Sequence, residues 1–426
     1  MRTVQAFGAM SGPVRLLVVN NFGVNLGFYL IVPHLATHLG GLGLTVGAVG
    51  LVIAMRSVSQ QGMTLASGSA ADRIGPRPLI LLGCGLRTVG FGMFAFVESL
   101  PAVLVASVLT GLAGAVFAPA ARTYLTRAVA QEKRLVAYSV YSAAHNAGAL
   151  LGPLLGSALL LVDFAAVAIV AAGIFAVLTV WQAFALPPQP AEQAKQSVMR
   201  DWREVVATPG FAVYTIAAAG LYVAFNQLYL LLPLEAERVT GFAGAISAVF
   251  VVNTVIGLVG SVPITRFFVT RFGSAGALSA GLALCAAAFA VLAVSATWQP
   301  ATPAIAEFHP SALPGLLWSM TPLLLSTVVL SIGCTVAFPV SSDLAVAYVR
   351  SGLSGTALGL AGTAAGVIGA AGTALAGVLT DVAARVGAPA LPWAAMTALC
   401  GASAGTLVLL RRRGRVPVGS GFDDRR

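Results

Sequence analysis

Long apolar runs recur along this chain, and they limit what it can fold into more than any other feature. A helix that spans a lipid bilayer needs about 20 largely apolar residues. Twelve stretches reach this length, at 14–38, 44–70, 78–98, 100–122, 135–161, 163–187, 209–235, 241–265, 274–297, 316–341, 353–380 and 388–410. Because lipid offers no hydrogen bonds to the backbone, runs of this length predict helices and not strands. The sequence therefore predicts an all-α membrane protein with twelve transmembrane helices in two pseudo-symmetric six-helix bundles.

Charged residues are too few for a soluble protein. They make up 9% of the 426 residues, and 58% are apolar, whereas about 25% of residues in a soluble globular protein are charged. The net charge of +10 would favour nucleic-acid binding in a soluble chain. Here, however, the basic residues lie in short gaps between apolar runs, without interleaved aromatic residues. We therefore expect membrane lipid around the chain and no nucleic-acid partner.

Metal, cofactor and enzyme chemistry find little support in the sequence. The four cysteines lie scattered inside apolar runs, and their spacing matches no metal-ligand pattern. An enzyme embedded in the membrane would need a group of reactive residues at depth, such as a histidine with an acid, and only His145 lies there. The sequence predicts no metal site, no cofactor and no enzyme.

The basic residues also predict the orientation of the chain. If the N-terminus is cytoplasmic, 20 of the 24 Lys and Arg residues fall in inner gaps and only Arg238 and Arg385 fall in outer gaps. Cytoplasmic loops carry an excess of Lys and Arg. This predicts a multi-pass protein of the bacterial plasma membrane with both termini in the cytoplasm.

A central polar segment divides six apolar runs from six. It predicts a first bundle at 1–187, a cytoplasmic linker at 188–208, a second bundle at 209–410 and a basic cytoplasmic tail at 411–426. The two halves echo each other, since Tyr29-Leu30-x-x-Pro33 recurs 200 residues later as Tyr229-Leu230-x-x-Pro233. Six-helix repeats of this kind occur in transporters.

Two motifs lie in the first half. The loop between the second and third runs reads Gly68-Ser-Ala-Ala-Asp72-Arg73-Ile-Gly75-Pro76-Arg77, and the fifth run contains Gly148-x-x-x-Gly152-Pro153-x-x-Gly156. In the loop, a tight turn would present a carboxylate and guanidinium groups to neighbouring helix ends as a conformational latch. In the fifth run, small residues four apart let two helices approach closely, and Pro153 adds a kink. A structural loop and ordinary helix packing are the alternatives.

Both motifs resemble signatures of the major facilitator superfamily, G-x-x-x-D-R-x-G-[RK]-[RK] and the G-x-x-x-G-P-x-x-G element of its exporters. With Leu26-Gly-Phe-Tyr and Arg56-x-x-x-Gln60-Gln61-Gly62, residues 20–160 resemble the twelve-helix drug:proton antiporter family, in particular its MdtH-like multidrug exporters. The resemblance implies a monomeric secondary transporter that moves small amphiphilic molecules by alternating access, most simply as efflux of drugs or metabolites. A facilitator or importer of a small organic anion is one alternative, and a membrane receptor or scaffold on a transporter fold is another.

Polar residues at helical spacing predict where a substrate would bind. In the superfamily, helices 1, 2, 4, 5, 7, 8, 10 and 11 surround a central cavity. The candidates on such helices are Asn21, Asn25, Tyr29, Arg56, Gln60, Tyr141, His145, Asn146, Tyr222, Asn226, Tyr229 and Asn253. Hydrogen bonds that only hold the helices together are the alternative role.

The charges inside the membrane depart from the family's pattern. None of the 14 Asp and Glu residues falls at mid-membrane, while Arg56 and Arg87 lie within predicted helices. We expect Arg56 to open onto the cavity and Arg87 to bond backbone carbonyls. His145 is the candidate for proton coupling, because histidine changes its charge near neutral pH. A positive cavity without acids would favour neutral or anionic amphiphiles.

Overall fold

The structure, a computed structural model, describes residues 7–8, 10–63, 70, 74–189, 198–298, 313–350 and 353–417. Nearly all of these residues are helical. No strand occurs in these ranges. The helices are α1 Gly12–Gly41, α2 Val46–Gly62, α3 Pro76–Met93, α4 Leu100–Ala128, α5 Arg134–Leu159, α6 Phe164–Ala185, α7 Val198–Ala207, α8 Phe211–Asn226, α9 Leu231–Thr240, α10 Ile246–Ser295, α11 Leu313–Ala347, α12 Ser354–Val386 and α13 Leu391–Arg412. The prediction of an all-helical membrane protein is confirmed, and each of the twelve predicted spans contains helical residues.

The helices differ from the predicted spans in two places. The 50-residue α10 covers two spans and is interrupted at Gly273, whose φ of 71° and ψ of 167° are not helical and suit glycine because it has no Cβ. Conversely, one predicted span is split into α8 and α9 by a turn at 227–230. With α8 and α9 taken together, eight helices of the described chain are long and apolar enough to cross a membrane. Of the other helices on predicted spans, α2 has only 17 residues, and α3 and α5 carry more polar residues, several of which line the cavity described below.

The described helices form two compact units. One contains Met1–His38 and Met55–Gln196, and the other contains Leu39–Ala54 and Ser197–Arg426. The boundary falls inside α2, so the first residues of this helix belong to the second unit. The short helix α7 lies in the predicted linker, and its Glu204 forms an exposed ion pair with Arg350, with Nε to Oε1 at 2.8 Å.

Close helix contacts recur about 200 residues apart in the two units. A Cβ on Gly23 of α1 would meet the side chain of Leu178 on α6, and a Cβ on Gly220 of α8 would meet Ser403 on α13. In the same way, Gly83 of α3 lies against α4 and Gly281 of α10 lies against Gly333 of α11. Equivalent helices therefore cross at equivalent positions, as expected for a duplicated six-helix unit.

Candidate functional site

A cavity of about 640 Å³ lies within the first unit, among helices α1 to α5. Small-molecule sites commonly have volumes of about 300–1,000 Å³. The residues that line this cavity are Asn21, Val24, Asn25, Gln60, Arg87, Gly114, Phe117, Ala118, Arg122, Tyr138, Tyr141, Ser142 and His145. The lining therefore combines amide, hydroxyl and imidazole groups with two guanidinium groups and apolar patches.

Five predicted site residues line this cavity together, namely Asn21, Asn25, Gln60, Tyr141 and His145. Three other candidates of the same unit, Tyr29, Arg56 and Asn146, are not among the lining residues. The ring of Tyr29 packs edge-on against His145, with centroids 6.4 Å apart. Five of the eight candidates in the first unit therefore line the cavity.

Arg56 supports the cavity wall from behind. Its Nη1 donates to Oε1 of Gln60 at 3.1 Å, and its guanidinium lies over the ring of Phe28 at 5.3 Å. The side chain is 5% exposed. Sequence reasoning expected Arg56 to open onto the cavity, whereas the structure places Gln60 there and Arg56 as its hydrogen-bond donor, one turn earlier on α2.

Two arginines in the lining were not predicted as site residues. Arg87 of α3 was expected to bond backbone carbonyls, and Arg122 was placed in an inner loop because the predicted span ended at that residue. The structure extends α4 to Ala128, so Arg122 lies on a helix. Gly114, Ala118 and Arg122 are spaced by four residues along α4, and this periodicity could have revealed the shared face.

Hydrogen bonds tie the lining of α1 to α5. The amide nitrogen of Asn21 donates to the backbone oxygen of Tyr141 at 2.8 Å. The amide nitrogen of Asn25 donates to the backbone oxygen of Asn21 at 2.7 Å and to its Oδ1 at 3.1 Å. Asn21 therefore lines the cavity and also holds α1 to α5, so the two roles considered from sequence coincide at this residue, whereas Asn25 bonds within α1.

The glycines of the α5 motif lie directly on the backbone of α1. A Cβ on Gly148 would come within 2.6 Å of the backbone oxygen of Phe22, and one on Gly152 within 2.6 Å of Cβ of Tyr29. A Cβ on Gly156 would overlap the backbone oxygen of Leu30. Pro153 contributes its carbonyl, 3.4 Å from Nε2 of the buried His34. The motif thus sets the distance between two helices that carry cavity residues.

The predicted site residues of the second unit mostly make packing contacts. Tyr229 is 4% exposed and packs against Phe225 and Phe250. Asn253 accepts a hydrogen bond from the hydroxyl of Ser331 at 3.0 Å. Asn226 is buried beside Gly369, and Tyr222 lines only a small pocket of about 60 Å³ near Tyr214.

The loop motif is described only in part. Gly68, Asp72 and Arg73 lie outside the described residues. Gly75 has a φ of 83° and precedes Pro76, the first residue of α3. Nη2 of Arg77 donates to the backbone oxygen of Ala183 near the end of α6 at 2.7 Å. Arg77 therefore joins two helices of the same unit, whereas the latch role of the loop stays a prediction.

Comparisons with known proteins agree with this architecture. A transporter of Mycobacterium tuberculosis (strain ATCC 25618 / H37Rv), named an uncharacterized MFS-type transporter, is 37% identical over 91% of this chain and 90% of its own length. The multidrug resistance protein MdtH of Aeromonas salmonicida (strain A449) is 26% identical over 88% of this chain and 90% of its own length.

Solved structures show the same fold. The POT family transporter PepTSo superposes with a TM-score of 0.78 and 14% identity over 94% of this chain and 98% of that one. The nucleoside transporter NupG superposes with a TM-score of 0.77 and 15% identity over 93% and 99%. A family model described as Major Facilitator Superfamily matches residues 17–309. With its twelve spans in two six-helix halves, this chain belongs to the major facilitator superfamily.

Proposed function

We propose that this protein exports small amphiphilic molecules, either drugs or metabolites, across the bacterial plasma membrane by alternating access. The cavity of the first unit carries this proposal, because its volume and mixed lining suit a small molecule with polar and apolar parts. The exporter-type glycine motif against α1 and the similarity to proteins named multidrug resistance proteins support export over import.

The proposed transporter acts as a monomer with both termini in the cytoplasm, as the distribution of Lys and Arg predicts. The predicted bundles at 1–187 and 209–410 would be the two parts that move during alternating access. Transport of a fluorescent compound panel into inside-out vesicles carrying the protein tests the direction. Accumulation inside these vesicles would support export, and uptake only in right-side-out vesicles would refute it.

Filling the cavity should block transport. Ala118 lines the cavity on α4, so an Ala118→Phe substitution would occupy space that the substrate needs. We expect at least a tenfold loss of transport rate at equal protein amounts, measured in proteoliposomes. Val105 on the same helix is 52% exposed, and Val105→Phe, which adds similar bulk outside the cavity, should retain the wild-type rate. Equal rates for all three proteins would remove the cavity from the transport path.

We further propose that His145 couples transport to protons. It is the histidine that lines the cavity, and among the lining side chains an imidazole is the type that changes charge near neutral pH. His145→Gln should abolish substrate-driven proton movement, read with a pH dye in proteoliposomes, while binding changes less than about threefold. The control is His38→Gln, because His38 stacks on Phe164 at 3.7 Å, away from the cavity lining. Proton movement that persists in His145→Gln would exclude this role.

Facilitated movement or import of a small organic anion is the second candidate function. The presence of Arg87 and Arg122 in the lining favours it, since the lining includes no Asp or Glu. The two functions differ in whether a substrate gradient alone is sufficient to drive transport. Counterflow in both vesicle orientations without a pH gradient would support the facilitator, and movement only with an imposed gradient would support the coupled exporter.

A further inference from the structure

Arg87 presents an incompletely bonded guanidinium to the cavity. It lies on α3, its side chain is only 7% exposed, and it lines the cavity. Within the part of the chain that the structure describes, its Nε and Nη1 have no hydrogen-bond partner. The sequence had suggested that Arg87 bonds backbone carbonyls, but these two nitrogens make no such bond to the residues that the structure describes.

Two aromatic rings hold this guanidinium in place. Its Cζ lies 4.9 Å from the ring centroid of Phe117 on α4 and 5.8 Å from that of Phe175 on α6. An aromatic face attracts a cation at such distances. It does not, however, accept the hydrogen bonds that the guanidinium N–H groups donate in the plane of the guanidinium. The rings stabilise the charge but satisfy none of its hydrogen bonds, and Nε and Nη1 lack an acceptor among the described residues.

The charge of the lining calls for an anion. Arg122 lines the same cavity from α4, and none of the lining residues is an Asp or Glu. A buried donor without an acceptor loses its hydration and gains nothing in return, and a buried cation is retained mainly where an anion pairs with it. Because the described lining supplies no anion, a bound ligand is the natural counter-charge.

The geometry of the guanidinium suits a carboxylate. The planar guanidinium offers neighbouring N–H groups, which match the two oxygens of a carboxylate in a bidentate pair. Elsewhere in the lining, the wall is apolar at Val24, Phe117 and Ala118 and polar at Tyr138 and Ser142. A ligand with one carboxylate and a compact apolar or aromatic body would use both kinds of surface.

We propose that Arg87 binds the carboxylate of monoanionic amphiphiles in the first-unit cavity, with Arg122 raising the local positive charge. The assignment rests on the proposed transport of amphiphiles, and it names the substrate class of that same cavity. It predicts that the ligand's charge, and not only its apolar area, decides whether it binds.

Binding of three dansyl probes to the purified full-length protein in phosphatidylcholine nanodiscs tests this assignment. The probes are dansylglycine, its neutral methyl ester and the cation dansylcadaverine, which share one fluorophore. We expect dansylglycine to bind at least tenfold more tightly than the ester and cadaverine probes. Arg87→Met should weaken the binding of dansylglycine at least tenfold and change the binding of the ester by less than about threefold. The preference for the acid over the ester would then be lost. Arg87→Lys should keep part of it, because it keeps the charge without the planar fork.

Two controls separate this result from a loss of fold or of function. Arg127→Gln removes a basic residue of the same α4 helix that is not in the lining and should keep the preference. Retained binding of the ester by Arg87→Met shows that the cavity is intact. Equal binding of acid and ester by the wild-type protein, or an unchanged preference in Arg87→Met, would overturn the assignment. Neither result would bear on the Ala118→Phe test, which decides separately whether the cavity lies in the transport path.

Discussion

Replacing Gly152 with leucine is expected to abolish the folded transporter. A Cβ at this position would lie 2.6 Å from Cβ of Tyr29, 2.9 Å from its carbonyl carbon and 3.0 Å from the oxygen of Leu26. Two of these atoms belong to the backbone of α1 and cannot rotate away, so the larger side chain must push the helices apart. Overpacking costs about 1–3 kcal/mol even where side chains can adjust, and membrane helices associate mainly through close packing.

Separation of α1 from α5 would also break the contacts that shape the cavity. The hydrogen bond from Asn21 to the backbone oxygen of Tyr141 spans the two helices at 2.8 Å. We therefore expect Gly152→Leu to give little monodisperse protein by fluorescence-detected size-exclusion chromatography, and no transport. Gly152→Ala should fall between the wild type and this variant, because it adds only the Cβ.

The matched control for this substitution is Gly173→Leu. Gly173 lies in the middle of α6, and a Cβ there would meet nothing within 4 Å. This variant changes helix propensity and side-chain size in the same way as Gly152→Leu, yet it should express and transport like the wild type. Equal yield and transport for Gly152→Leu and Gly173→Leu would contradict the close packing of α1 on α5.

Substitution of Asp381 is expected to change the conformational equilibrium. Oδ1 of this residue, near the end of α12, accepts from the backbone nitrogen of Val46 at 2.9 Å, and Oδ2 accepts from that of Gly47 at 2.8 Å. The carboxylate thus caps the first turn of α2, whose N-terminal dipole it also complements. Gly377 brings the two helices together, since a Cβ there would lie 2.5 Å from the oxygen of Val46.

The predicted orientation places this contact at the outer face of the membrane, where the proposed exporter would open to release its substrate. The loss of a capping side chain costs about 0.5–2 kcal/mol, which corresponds to about a two- to thirtyfold change in an equilibrium constant. Asp381→Ala should therefore increase the population in which α2 and α12 are separated. Transport should fall because the transporter no longer closes fully where α2 meets α12.

Spin labels on Thr45→Cys and Arg385→Cys, in a background with the four native cysteines replaced by alanine, would report the separation. Wild-type protein should give a short main distance, and Asp381→Ala should add a longer one. Asp163 is the matched control, because it caps its own helix α6 through the backbone nitrogen of Ala166 at 2.6 Å. Asp163→Ala loses a cap of similar strength and should leave the distances unchanged. An unchanged distribution in Asp381→Ala would mean that the cap does not hold the two helices together.

The sequence alone predicted the number of spans, the family and much of the cavity. Spans are predictable because the apolar length needed to cross lipid is a local property of the chain. The period of a helix likewise placed Asn21 and Asn25 on one face of α1, and Tyr141 and His145 on one face of α5. All four line the cavity.

Other parts of the site depended on how the helices pack. Arg56 and Gln60 lie on one face of α2, and no periodicity could tell that Gln60 lines the cavity while Arg56 supports it. Arg87 was expected to bond backbone carbonyls, and its helix is not one of those that surround the cavity in the superfamily, yet the close approach of α3 to α4 at Gly83 brings it beside Phe117. Likewise, Asp381 and Gly47 are 334 residues apart in the chain.

The hydrophobic effect acts on each segment by itself, and a sequence records it residue by residue. Distances between helices are set by the small residues at their crossings and by the side chains that meet there. The sequence of this protein therefore determined that it is a helical membrane transporter, and only the tertiary structure decided which of its charged side chains reach the cavity.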